Sequence, residues 1–320
     1  MFKPMKLLAL ILACSASFIV TAEQKSVAIT QIVEHPALDS VRLGVKEELI
    51  KQGFVEGKNL KWQYESAQGN PTTAAQIARK FAGESPDVIV AIATPSAQTA
   101  AAAARNTAIV FSAVTDPVGA KLVKDLNHPG RNITGTTDML PVKKHLELVK
   151  RLVPNIKTIG TIYNPGEANS VTIVELVEKI APELNIQVVK SAATKSSDVL
   201  TAARSLVGKV DAIYLPTDNT VISAAEAVIK VGEQNKLPVI AADTDTVKRG
   251  AIAALGFNYY DVGRQTGAIV ALILNGQKPG DIPVQGVEKM ELHINPGAAE
   301  RMGLKLPEGI LEEAKEVITK

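Results

Sequence analysis

The chain has 320 residues, 46% of them hydrophobic and 21% charged, enough to bury one large core or two smaller ones. Its formal net charge is +2, with no basic patch or single-sign run, which argues against nucleic acid as a partner. The single cysteine is Cys14, so the chain beyond it offers no thiolate nucleophile and no zinc–sulfur site.

The first 22 residues read as an export signal. Lys3 and Lys6 are its only charges, Leu7 to Ala13 is continuously apolar, and Val20-Thr21-Ala22 supplies small residues for cleavage before Glu23. Ile11-Leu12-Ala13-Cys14 weakly resembles a lipoprotein processing site. Leu directly before the Ala is unusual there, and apolar sequence continues past Cys14, so cleavage after Ala22 is the favoured reading. Removal of this segment takes away two positive charges and no acid, leaving a formal net charge of zero. No later stretch reaches the ~20 apolar residues that a transmembrane helix needs. The expected mature protein is exported to the periplasm, is not inserted in the membrane, and has no cysteine.

A strand is predicted over Val27 to Val33, ending at Glu34-His35-Pro36. A helix follows over Leu38 to Lys51, with Val41, Val45 and Leu49 on one face. Gly53 and Gly57 punctuate the turn before Leu60 to Tyr64, which alternates like a strand with one face buried. Pro71 opens a helix through Ala82. Then Asp87 to Ala93 runs into Thr94-Pro95-Ser96, and Ala108 to Val114 into Thr115-Asp116-Pro117. After a crossing near Asp138, a second block of similar length and design extends from Pro141 to about Gly250. In it Thr158 to Tyr163 runs into Asn164-Pro165-Gly166-Glu167, Ala212 to Pro216 into Thr217-Asp218-Asn219, and Pro238 to Ala242 into Asp243-Thr244-Asp245. The tail predicts a strand over Ala251 to Phe257, a helix over Asp261 to Leu274, and a strand over Glu288 to Ile294. Two terminal helices are expected over Asn295 to Met302 and Leu306 to Ile318.

Short apolar runs rich in β-branched residues are strands buried on both faces, as in parallel sheets. Small polar residues followed by Pro begin helices, the oxygen capping free N–H groups and the Pro occupying the first turn. Strands alternating with helices imply right-handed crossovers. Ligands bind outside the carboxyl ends of such strands, so five polar clusters become the candidate site.

No nucleophile elbow, P-loop, dinucleotide turn or zinc-protease motif is present, and His35, His128, His145 and His293 lack metal-ligand spacing. No cofactor or metal is therefore expected. A cleft for a small zwitterion needs helix N-terminal N–H groups and hydroxyls for its carboxylate, and acceptors for its ammonium. Thr94, Ser96 and the segment containing Asn164, Glu167, Asn169 and Ser170 suit the anion. Asp218 and Asp243 in the second block, and Glu34 and Asp116 in the first, suit the cation. Each has a structural competitor. Asp116, followed by Pro117, reads first as a plain helix cap, with Thr115 beside it. Ser96 is as consistent with a first-turn role as with ligand contact. Thr217, Asp218 and Asn219 cluster where only one cap is needed, and that surplus favours binding. Asp243 has a similar surplus. Tyr163 and Tyr214 read as sheet residues, Trp62 as a strand residue, and His35 as an exposed loop histidine.

The order of Ala93-Thr94-Pro95-Ser96, Phe111 to Val118, Asn132-Ile133-Thr134-Gly135, Tyr163-Asn164-Pro165, Leu215 to Asn219 and Ala251 to Gln265 resembles one family. It is that of the substrate-binding proteins of ABC transporters, in the group with tryptophan- and tyrosine-binding members. The resemblance spans the mature chain; its motifs are short, and their order and spacing carry it. It implies an α/β fold of the type I periplasmic binding protein: two Rossmann-like lobes with parallel sheets flanked by helices, joined by a three-crossing hinge. The crossings are expected near Asp138, Phe257 and Ile294. Residues 23–138 with about 258–290 would form one lobe, and 139–257 with about 291–320 the other. The resemblance further implies a monomer that closes on a small amino acid-like ligand, aromatic by family analogy with Tyr259, Tyr260 and Phe257 near it, and docks on an ABC permease with its ATPase. A ligand-sensing module for a receptor kinase, or an exported enzyme of the same fold, would share this architecture.

Overall fold

The computed structural model describes residues 24–287 and 289–319. The expected export segment, residues 1–22 with Cys14, lies outside the described residues, as does Glu288 at the start of one predicted strand.

The first block forms β1 (Lys25–Gln31), α1 (Pro36–Lys51), β2 (Leu60–Ser66), α2 (Pro71–Glu84), β3 (Val88–Ile92), α3 (Thr94–Ala103), β4 (Ala108–Val114) and β5 (Ile133–Thr137). The helix starts follow the sequence chemistry. Asn70 accepts from the N–H groups of Thr72 and Thr73, and Pro71 fills the first turn of α2. All five residues of β3 are buried, as a strand covered by helices on both faces requires.

The second block forms α4 (Val142–Leu152), β6 (Thr158–Tyr163), α5 (Ala168–Ile180), β7 (Gln187–Ala192), α6 (Val199–Leu206), β8 (Ala212–Leu215), α7 (Asn219–Ser223), α8 (Ala225–Asn235), β9 (Val239–Ala241), α9 (Asp245–Lys248) and β10 (Ala253–Gly256). The tail adds α10 (Tyr259–Leu274), β11 (Gln285–Gly286), β12 (Glu291–Ile294), α11 (Pro296–Arg301), α12 (Ile310–Glu313) and β13 (Glu316–Val317).

These strands make two sheets, ordered β11-β5-β4-β3-β1-β2 and β13-β12-β10-β9-β8-β6-β7. Every pair in the first is parallel, and in the second only β10 and β12 run antiparallel. The expected fold class, two α/β lobes with parallel sheets flanked by helices, is the one observed. The chain passes between sheets after β5, after β10 and between β11 and β12. Ile294 is therefore not a crossing: it pairs with Ala253 inside the second sheet.

Helix α10 closes the first lobe by packing along α1 at very short range. A Cβ on Gly263 would lie 2.1 Å from the Val41 carbonyl oxygen, and one on Gly44 2.2 Å from that of Tyr260. Glycine at both positions lets the two backbones touch. A late segment thereby becomes part of the early lobe.

Two predicted elements differ. Thr115-Asp116-Pro117 begins no helix; turns follow, with the Ala120 N–H bonded to the Asp116 carbonyl and Lys121 at φ 60°, which interrupts a right-handed helix. The last predicted helix shrinks to α12, because sheet pairing takes the residues after it. The Lys315 N–H donates to the Leu292 carbonyl and that of Ile318 to Ile294, forming β13.

Candidate functional site

A cavity lies between the lobes. From the first lobe it is lined by His35, Thr115 and Asp138, just beyond β1, β4 and β5. From the second it is lined by Asn169, by Thr217 and Asp218 beyond β8, and by Asp243 beyond β9. These are carboxyl ends of parallel strands, where loops can present polar groups without disturbing the sheet.

The second lobe presents a dense hydrogen-bonded face. Asp218 is fully buried and accepts from the Asn164 N–H at 2.5 Å, the Val221 N–H at 2.8 Å and the Ser170 hydroxyl. One carboxylate thus ties the end of β6 to α5 and caps α7. Glu167 accepts from the backbone N–H groups of Asn219 and Thr220 at 3.2 and 3.1 Å, the Asn219 amide at 2.5 Å and the Thr220 hydroxyl at 2.6 Å. Within the segment from Asn164 to Ser170, the Asn164 N–H and the Ser170 hydroxyl thus hold the protein's own Asp218, while α5 begins without a side-chain cap. Asn169 donates its amide to the Thr217 carbonyl at 2.9 Å, which leaves its Oδ1, and the Thr217 hydroxyl, buried without partners.

Burial raises the Asp218 carboxyl well above the ordinary carboxylate value, and the nearby negative charge of Glu167 adds to the rise. Asp243 is also raised by burial, against the opposing bonds from the Thr246 N–H at 2.8 Å and hydroxyl at 2.6 Å. Asp138 is raised by burial too, although it accepts from the Tyr259 hydroxyl at 2.8 Å and the Thr115 hydroxyl at 3.1 Å. Three carboxyl groups therefore face one cavity whose lining holds no Lys or Arg. A cationic group placed there would relieve all three.

On the first lobe, the start of α3 is buried and does not line this cavity. Helix α3 begins at Thr94 without any side-chain cap, and Ala93 before it is held at φ 72°, a conformation strained for a residue with a Cβ. The hydroxyls of Thr94 and Ser96 are buried and have no partner. Uncapped N–H groups with free hydroxyls at a helix N-terminus are the chemistry of an anion site. His35 is only 8% exposed, and burial, with the positive charge of Arg249 secondary, pulls its imidazole down to about 3, so it is neutral. The sequence had suggested an exposed loop histidine; packing between the lobes decides otherwise.

Other candidates stand elsewhere. Glu34 is exposed and accepts from the Tyr64 hydroxyl at 2.9 Å. Asp116 accepts from the Gly119 N–H at 2.8 Å within its turn and does not line the cavity. Tyr214 is buried in the second sheet, bonded to His145 at 2.7 Å. Tyr260 bonds the exposed Glu47, whereas Tyr259 lines the cavity. The sequence marks Asp138 only as a crossing, yet it lines the cavity and links β4 to α10 through Thr115 and Tyr259. The available signal was Thr136-Thr137-Asp138, a sixth polar strand end. Among the described residues no group of three or more His, Cys, Asp or Glu is placed to hold a metal ion. No helix among them is long and apolar enough to cross a membrane.

A family model described as ABC transporter substrate binding protein matches residues 26–318. A tyrosine-binding protein of Clostridioides difficile is 43% identical over 273 residues, 85% of this chain and 79% of that protein. A domain from Streptococcus pneumoniae solved in complex with L-Trp is 33% identical and superposes with a TM-score of 0.89, over 92% of this chain and all of that one. A ligand-free, open structure of a substrate-binding protein from Clostridium difficile is more identical, at 42%, yet superposes less well, with a TM-score of 0.69 over the same coverage.

Proposed function

The chain belongs to the ABC transporter substrate-binding protein family, and from that premise we propose that it captures an amino acid-like ligand in the periplasm for import. The ligand is bound between the lobes, with its ammonium among Asp138, Asp218 and Asp243 and its carboxylate at the start of α3. Its side chain is aromatic, as in the tyrosine- and tryptophan-binding relatives. The observation that carries this reading is the set of three buried carboxyl groups facing a cavity whose lining holds no lysine or arginine. A ligand touching both jaws favours the closed arrangement by its differential affinity, so occupancy and closure are linked. The closed monomer then delivers its ligand to a permease driven by an ATPase, without chemical change to the ligand.

Mass spectrometry of small molecules released from the purified protein, followed by calorimetry with the compound found, tests this. An aromatic amino acid is expected. A released sugar, or conversion of the compound during incubation, would overturn the assignment.

A further inference from the structure

Resting on the amino acid reading above, we propose that His35 accepts a hydrogen bond from a donor on the ligand's aromatic ring, so that the cleft separates tyrosine and tryptophan from phenylalanine. His35 is more than nine-tenths buried, lines the interlobe cavity, and its Nδ1 has no hydrogen-bond partner. A buried ring nitrogen without a partner is costly, and a ligand that supplies one removes the cost. The imidazole is neutral, kept so by burial and then by Arg249 across the cleft. A neutral imidazole has one nitrogen that accepts, which an imidazolium lacks.

The surroundings fix which end of the ligand it meets. Ala37 and Leu38, at the start of α1 directly after His35, are 2% and 4% exposed and line the same cavity. Asp218 and Asp243 reach it from the other lobe, and the free Oδ1 of Asn169 and hydroxyl of Thr217 stand on that side. An amino acid with its ammonium toward those acids turns its side chain to the apolar wall at His35. Tyrosine carries an O–H and tryptophan an N–H on the ring edge, and phenylalanine carries neither. A site built to pair such a donor penalises the analogue that lacks it.

Calorimetric titration of the ligand-stripped full chain with L-tyrosine, L-tryptophan and L-phenylalanine tests this. Wild type should bind the first two at least about tenfold more tightly than the third. His35→Leu should lose about that factor for tyrosine and tryptophan and leave phenylalanine unchanged. His35→Gln, which keeps an acceptor, should restore part of the loss, and circular dichroism verifies that each variant is folded. Equal affinity of wild type for all three, or equal weakening of all three in a folded His35→Leu, overturns the inference while leaving the amino acid reading intact. Failure of the folded wild type to bind any of the three overturns both.

Discussion

The two jaws of the cleft are built on different principles. On the second lobe Asp218 and Glu167 between them gather backbone N–H groups from Asn164, Asn219, Thr220 and Val221, while the Asn169 Oδ1 and the Thr217 hydroxyl stay without partners. On the first lobe, Thr94, Ser96 and His35 keep buried polar atoms without partners. On the proposed reading the second jaw's carboxylates are already held in place before a ligand arrives, and the ligand supplies partners to the first. Preorganisation lowers the cost of binding on one side. On that reading, unpaired groups on the other couple closure to what is bound.

Substitutions should separate the jaws in stability and affinity. The largest effect is expected for Glu167→Ala, which leaves several buried donors unpaired at once. It should lower unfolding free energy by about 3 kcal/mol in urea denaturation. A stability unchanged from wild type would show that the second jaw is not held as described. Asp218→Asn should weaken ligand binding by at least ~2 kcal/mol, about 30-fold, measured by calorimetry.

Next comes a dependence on pH. The carboxyls of Asp138, Asp218 and Asp243 are raised above their unfolded value, so their contribution to stability is present below that value and lost as pH rises through the folded one. A ligand ammonium favours the ionised forms and offsets the loss. The ligand-induced rise in melting temperature should therefore be greater at about pH 8 than at about pH 5. A rise that shrinks with pH would place the ammonium elsewhere. The smallest effect belongs to Ser96→Ala, expected to cost roughly 1 kcal/mol of affinity with no loss of stability, because its hydroxyl has no partner to lose. A lowered melting temperature would erase the contrast between the jaws.

Much of the architecture was legible because it depends on local patterns. Buried apolar runs marked β3, β4 and β6, and Pro71, Pro95 and Pro296 marked helix starts that are present. Local pattern failed where competing contacts intervened. Residues after α12 joined β12 instead of extending a helix, and Asp116 capped a turn. Local sequence does not mark Asp138 because its partner Tyr259 lies 121 residues away.

The sequence by itself determined that polar clusters stand at strand ends in two blocks, since periodicity and capping chemistry act over a few residues. Only the tertiary structure decided which of those clusters remain free. The donors that hold each carboxylate arrive from distant segments, as Asn164 does for Asp218 and Thr220 for Glu167. Burial between the lobes then set their charge, raising three acids and holding His35 neutral. That balance of desolvation against pairing exists only once both jaws face one another.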